Sequence, residues 1–258
     1  MQDPLPTRAL VRAPIGDLSG ALTRDRQGPV ACPATASRQH IAYVRALESM
    51  GLKVERLPPL DGHPDAHFVE DTAVVLGQGK AIIARPGAPA RRGETATVAS
   101  ALSRHLDLLR IEAPGTLDGG DVLRVGERLY VGRSSRTNGA GIAQLSEAAS
   151  SVGVEVVAMR VRDALHLKSV ATALTDSLIL AVEGAFEVDA FAPATVVTLP
   201  EAQAHAANVL RLGEQILMAA DCPEAAALVE RHNLSVKTVD TREFRKMDGA
   251  LTCLSILF

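Results

Sequence analysis

A closed ring of five α/β units is the fold that this 258-residue sequence predicts. Three observations carry it. A polar residue heads a short apolar run five times, at intervals of roughly 40 to 50 residues, and the heads include Glu70/Asp71, Asp118, His166 and Cys253. Most of these runs are followed by a tight turn and a second apolar run, which reads as strand, turn, strand. The last run, Leu254-Ser255-Ile256-Leu257-Phe258, has no second half, whereas the chain opens on an orphan strand, Ala9-Leu10-Val11. Pairing the two completes a fifth hairpin and hides edges that an open array would expose.

In chain order, the orphan strand is followed by a helical stripe, Ile41, Val44, Leu47 and Met50, with Ser37 as N-cap and Gly51 as stop. A short strand, Lys53-Val54-Glu55, comes next, then a Pro/Gly loop over residues 58–64. Val74-Val75-Leu76 and Ala81-Ile82-Ile83 flank a turn at residues 77–80. Residues 84–94 read as a second long loop, and such loops beside a pocket are candidate lids. The clearest hairpin is Asp121-Val122-Leu123-Arg124-Val125-Gly126-Glu127 with Leu129-Tyr130-Val131. A helix over 138–151 and a strand over 154–157 complete that unit. After His166 come strands at 170–174 and 178–180. Asn208-Val209-Leu210-Arg211-Leu212-Gly213-Glu214 and Ile216-Leu217-Met218 repeat the hairpin, and Asp221-Cys222-Pro223 opens a helix before a strand over 236–239. A doubly wound parallel sheet is the alternative. The Gly-Glu turns suit antiparallel hairpins instead, and no glycine-rich phosphate loop follows a strand.

The composition, 47% hydrophobic, allows a large core, and the ring argument makes residues 1–258 one catalytic domain. A net charge of −3 gives no electrostatic reason to expect nucleic acid or an anionic membrane as partner. No apolar run approaches the roughly 20 residues of a membrane span. The start Met1-Gln2-Asp3-Pro4 lacks the pattern of a secretory signal, and three cysteines, Cys32, Cys222 and Cys253, suit a reducing cytoplasm. The oligomeric state is not fixed by the sequence; a homodimer is compatible with it.

In a ring, equivalent strand ends face one axis, so the polar heads gather in one pocket. Cys253 and His166 make the minimum pair for thiolate chemistry, in which sulfur attacks and an imidazole exchanges protons with the leaving group. Asp118 is a candidate to orient the imidazole. A buried small hydrophobe and a structural histidine are the bland readings of Cys253 and His166. The carboxylates Asp65, Glu70, Asp71 and Asp118 outnumber nearby cations, which raises the pKa of a thiol unless a cation arrives. The expected partner is therefore a small cationic molecule, and a planar guanidinium matches carboxylates held on two sides. Asp121 reads as a turn cap. Arg85 and Arg136 end hairpin strands, where they either clamp a carboxylate or lie solvated. No Cys/His spacing fits structural zinc, so no metal or other cofactor is expected.

At these residues the chain resembles the dimethylarginine dimethylaminohydrolases of the guanidino-group-modifying, pentein-fold superfamily. The matching segments are Phe68-Val69-Glu70-Asp71, Ala84-Arg85-Pro86-Gly87-Ala88-Pro89-Ala90-Arg91-Arg92, Thr116-Leu117-Asp118-Gly119-Gly120-Asp121-Val122-Leu123, Ser135-Arg136-Thr137-Asn138, Leu165-His166-Leu167-Lys168-Ser169 and Asp248-Gly249-Ala250-Leu251-Thr252-Cys253-Leu254-Ser255. The resemblance implies a five-bladed pseudo-symmetric α/β propeller that hydrolyses Nω-methylated or Nω,Nω-dimethylated L-arginine to L-citrulline and methylamine or dimethylamine. It implies Cys253 as nucleophile, His166 as proton carrier and Asp118 as its partner. Substrate contacts carry over to Leu22, Asp65, Glu70, Asp71, Arg85, Arg136, Met247 and Asp248, with Leu22 in a lid-like loop. Arginine deiminase and a non-catalytic binding propeller are the rival functions.

Overall fold

The computed structural model describes residues 4–25, 27–161, 164–187 and 189–258. Met1, Gln2 and Asp3, read above for a leader, lie outside the described residues, as does Arg26 at the end of the lid stretch. Fifteen strands form five three-stranded sheets among the described residues. The first unit holds β1 (Arg8–Arg12), α1 (Pro33–Ser49) and β2 (Lys53–Leu57). The second holds β3 (Ala73–Gly77), β4 (Lys80–Ile83), α2 (Thr95–Leu102) and β5 (Asp107–Arg110). The third holds β6 (Val122–Val125), β7 (Arg128–Arg133), α3 (Gly139–Ser150) and β8 (Glu155–Arg160). The fourth is β9 (Ala171–Ala173), β10 (Leu178–Val182) and β11 (Thr195–Leu199). The fifth is β12 (Leu210–Leu212), β13 (Gln215–Ala219), α4 (Pro223–Glu230) and β14 (Ser235–Val239), after which a short helix α5 (Arg242–Arg245) leads to β15 (Ser255–Leu257).

Every unit repeats one pairing: an antiparallel hairpin with a third strand added in parallel. In the hairpins β6–β7 and β12–β13 the turn glycines, Gly126 at φ +58° and Gly213 at φ +60°, occupy the left-handed region that a tight reversal needs. The termini close the ring as expected, with β15 antiparallel to β1 in the register Ala9↔Leu257, Leu10↔Ile256 and Val11↔Ser255.

The apolar core is divided in the same way. Five buried clusters each mix residues of two neighbouring units, so the core lies at the junctions between blades. At the closing junction, Tyr43, Val44 and Leu47 of α1 pack with Leu210, Leu217 and Leu254. Burying each such leucine contributes about 1.5 to 3 kcal/mol. Tyr43 also shares a 2.7 Å hydrogen bond with Ser255, tying the helix to the last strand.

The structure departs from the sequence reading at several elements. Helix α1 starts at Pro33 behind Cys32, not after Ser37, and its buried face is Ala36, Gln39, His40, Tyr43, Val44 and Leu47, which leaves Ile41 exposed. Proline at the first helical position starts the helix a turn early, and the buried polar residues Gln39 and His40 hid the true stripe. Helix α2 was not anticipated. Residues 84–94 are not a lid: a 3-10 turn at Pro89–Glu94 buries Arg91 and Glu94 beneath the site. Helix α3 begins as expected, with the Asn138 side chain accepting from the Gly141 amide at 2.8 Å. No helix of the described residues is long and apolar enough to cross a membrane.

Candidate active site

A short 3-10 turn precedes the inner strand of each unit: Val69–Thr72, Gly119–Asp121, Leu167–Ser169, Glu201–Ala207 and Thr252–Leu254. These turns carry or adjoin the polar heads. Because a turn ends where the inner strand begins, each delivers its head residue to the same end of the ring.

Four of the heads, Asp71, Asp118, His166 and Cys253, open on one cavity of about 480 Å³. Of the residues expected from sequence, Leu22, Asp65, Asp71, Asp118, Arg136, His166, Met247, Asp248 and Cys253 line it. Cys253 and His166 therefore share one chamber although they stand 87 positions apart in the sequence. Asp118 is fully buried. Its Oδ2 lies 3.1 Å from Nε2 of His166, and its Oδ1 accepts the Gly87 amide at 2.8 Å. Nδ1 of His166 is turned to Asp71, 3.9 Å away, which accepts the Gly120 amide at 2.9 Å and an Arg91 N–H at 2.5 Å. Gly120 has to lack a side chain, because a Cβ there would meet His166 Nδ1 at 2.5 Å and Asp71 Oδ1 at 2.9 Å.

Charge follows from this packing. Burial disfavours protonating His166, but Asp71, then the hydrogen bond from Asp118 and the charge of Asp121, outweigh it and raise the imidazole to about 9. Against its own burial, Asp71 is held down to about 2 by His166 and Arg91. Burial first, then the negative charges of Glu70 and Asp71, pushes the Cys253 thiol well above its ordinary value. These opposing shifts favour a protonated thiol beside an imidazolium. Ligand atoms of Asp71, Asp118 and His166 lie within 4.8 Å of one another, a spacing that can hold a cation. The Arg91 guanidinium and the Gly120 and Gly87 amides already satisfy the two carboxylates.

Glu70 and Arg85 do not line the chamber. The carboxylate of Glu70 is buried just behind it, taking Lys168 Nζ at 2.5 Å on one oxygen and Thr252 Oγ1 at 2.8 Å on the other. It thereby ties the His166 turn to the Cys253 turn. Asn208, head of the remaining unit, completes the seam by accepting the Thr252 amide and donating to Thr252 Oγ1 and the Lys168 carbonyl. Asp121 does more than cap its own turn: it accepts from the Leu167 amide and from Ser134.

Arg85 corrects an expectation. Its Nη1 donates to the Gly115 carbonyl at 3.1 Å, and it lines a separate, smaller cavity. The arginine that reaches the chamber from this segment is Arg91, which spends its donors on Asp71, Glu94 and the Asp65 and Phe68 carbonyls. Burial pushes Glu94 up to about 7 even with Arg91 beside it. The three-residue spacing of Arg91 and Glu94 was a legible clue, since residues so placed meet on a helical turn. Arg136 does face the chamber, and its guanidinium has no hydrogen-bond or ion-pair partner among the described residues.

A strap over residues 19–24 forms the outer wall. The Leu22 amide donates to both oxygens of Asp65, at 3.1 and 3.2 Å, and the Arg24 amide donates to Asp248 at 2.6 Å. Two carboxylates expected to meet substrate thus also latch the strap. Asp248 sits at φ +55°, a left-handed conformation that aspartate tolerates better than most residues.

Comparison with known proteins agrees with this arrangement. A family model described as "N,N dimethylarginine dimethylhydrolase, eukaryotic" matches residues 24–222. A Streptomyces coelicolor protein named N(G),N(G)-dimethylarginine dimethylaminohydrolase is 41% identical over 250 residues, covering 96% of each chain. The chain belongs to the dimethylarginine dimethylaminohydrolase family. Another member, from Pseudomonas aeruginosa, is 35% identical over 251 residues, covering 96% of this chain and 98% of that one. The solved structure of the dimethylarginine dimethylaminohydrolase from Pseudomonas aeruginosa, a cysteine-to-serine mutant complexed with citrulline, superposes with a TM-score of 0.94 at 34% identity over 99% of this chain and 100% of the other. The fold is thus a five-bladed, pseudo-symmetric α/β propeller of the pentein type.

Proposed function

We propose that this protein hydrolyses Nω-methylated and Nω,Nω-dimethylated L-arginine to L-citrulline and the methylamine or dimethylamine, through a covalent thiouronium on Cys253. The observation that carries the reading is the convergence of Cys253, His166 and Asp118 with the carboxylates of Asp65 and Asp71 on one chamber. The family relationship supports the substrate class.

The charge balance suggests the order of events. The same carboxylates that hold the thiol protonated attract a guanidinium, and its arrival offsets Glu70 and Asp71 and lets the thiol lose its proton to solvent. Arg136, with no internal partner, is suited to the substrate α-carboxylate. Sulfur then adds to the guanidinium carbon, and Nδ1 of the imidazolium of His166 gives its proton to the departing amine as the C–N bond breaks. Neutral His166 takes a proton from water as its oxygen adds to the thiouronium. Collapse breaks the C–S bond, releases citrulline and returns sulfur and a second proton. Asp118 keeps the ring oriented through Nε2.

Three free cysteines support a reducing compartment such as the cytoplasm as its place of action. The deciding experiment compares asymmetric dimethylarginine with arginine in a citrulline assay, with Cys253→Ser as control. The reading expects citrulline from the methylated substrate, little from arginine and none from the variant. Preference for arginine would make it a deiminase, and an inert protein would make it a binding propeller.

A further inference from the structure

We propose that the second cavity, lined by residues 83–86, Arg92, Thr95 and residues 110–112, binds a small tetrahedral oxyanion of the phosphate class. The cavity measures about 160 Å³, roughly five water volumes. Three arginines line it, Arg85, Arg92 and Arg110, against a single acidic residue, Glu112. The lining therefore carries an excess of two positive charges, the complement of a phosphate at neutral pH, which bears about 1.5 to 2 negative charges.

Two of the three arginines are tethered without being neutralised. Arg85 Nη1 donates to the Gly115 carbonyl at 3.1 Å, and Arg92 Nε donates to the Pro86 carbonyl at 3.1 Å. Each bond uses one of the five donors of a guanidinium, leaving the others for a ligand. Arg110, at the exposed end of β5, makes no side-chain hydrogen bond or ion pair among the described residues. None of the three has a carboxylate within ion-pair distance among those residues, Glu112 included. Elsewhere on the surface arginines do find acids, as Arg56 finds Glu48 and Arg128 finds Glu155. Like charges gathered in a concave site repel one another, and an anion removes that repulsion while accepting the open N–H groups. A carboxylate presents two oxygens in one plane, whereas three arginines arriving from the segment after β4, the 3-10 turn and the end of β5 suit an ion with acceptors on several sides. The site lies next to the chemistry: the segment whose Pro86 carbonyl holds Arg92 gives its next amide, that of Gly87, to Asp118.

Binding is independent of the catalytic reading and is measured without turnover. Equilibrium dialysis of the full chain against labelled orthophosphate at constant ionic strength is expected to give one saturable site per chain. Arg110→Gln is expected to weaken it at least about tenfold, the worth of one hydrogen bond to a charged group, with unchanged unfolding and citrulline formation. The double variant Arg92→Gln/Arg110→Gln is expected to abolish it. A phosphomonoester that displaces the label assigns the site to a phosphorylated metabolite; one that fails to displace it assigns the site to free orthophosphate. The proposal is overturned if no saturable binding occurs up to tens of millimolar phosphate, or if both variants, shown to be folded, bind as the wild type does.

Discussion

Replacing Gly120 with alanine tests the placement of the imidazole without adding or removing a charge in the site. The backbone at Gly120 is not in the left-handed region, so the substitution costs no backbone strain. Its effect comes through the added Cβ, which would stand 2.5 Å from Nδ1 and 2.9 Å from Cγ of His166, and 2.9 Å from Oδ1 of Asp71. An ordinary contact begins near 3.4 Å. The ring must therefore retreat by nearly 1 Å, and Asp118, bonded to Nε2 from behind, resists the movement. A misplacement of about 1 Å in a reacting group costs on the order of 100-fold in rate. Citrulline formation from saturating dimethylarginine should fall by that factor, while alkylation of Cys253 by a small haloacetamide proceeds and the protein unfolds cooperatively near the wild-type midpoint. A kcat within threefold of wild type in a folded Gly120→Ala protein would refute the claim that Nδ1 faces the substrate.

Three other outcomes follow from the same geometry. In Asp71→Asn the charge that most favours the imidazolium is gone, so the His166 midpoint, read by NMR of the ring carbons, should drop below its wild-type value of about 9; an unmoved midpoint contradicts the assignment. Because the folded value of His166 lies above its unfolded value of about 6.5, its stabilising contribution is complete below that pH and disappears as pH rises through about 9, at most about 3 kcal/mol. Urea unfolding at pH 6 and pH 10 should therefore differ less in His166→Gln than in wild type, and equal differences would speak against it. Arg136→Ala should raise KM for dimethylarginine by at least about tenfold with kcat little changed, the mark of uniform binding; a loss confined to kcat would remove it from carboxylate recognition.

Much of this architecture is legible in the sequence because the ring repeats one unit. Period-two apolar runs around Gly126 and Gly213 fix hairpins whose turns need left-handed backbone, and the unpaired runs at the two ends find each other. What repetition does not encode is how the connecting segments pack. Helix α1 buries Gln39 and His40, so its face escapes an apolar-stripe reading, and α2, too short and alanine-rich for a pattern, was missed. At the site, the repeat heads Cys253, His166, Asp118 and Asp71 converge because each adjoins the turn before an inner strand. The choice between Arg85 and Arg91 depends on which way a 3-10 turn points its side chains, and spacing along the chain does not decide that. Nor does any sequence signal announce that Glu70 would join Lys168 to Thr252, since its partners lie 98 and 182 residues away.

The central claim is that sulfur and imidazole act together on a cation inside one chamber. Acid quenching during turnover of dimethylarginine, followed by peptide mapping, tests it most directly. The account predicts a labile adduct on the peptide containing Cys253, with the mass of substrate less dimethylamine, whose formation from dimethylarginine is strongly slowed in His166→Gly. Turnover with no such adduct, or an adduct on Cys32 or Cys222 instead, would contradict it.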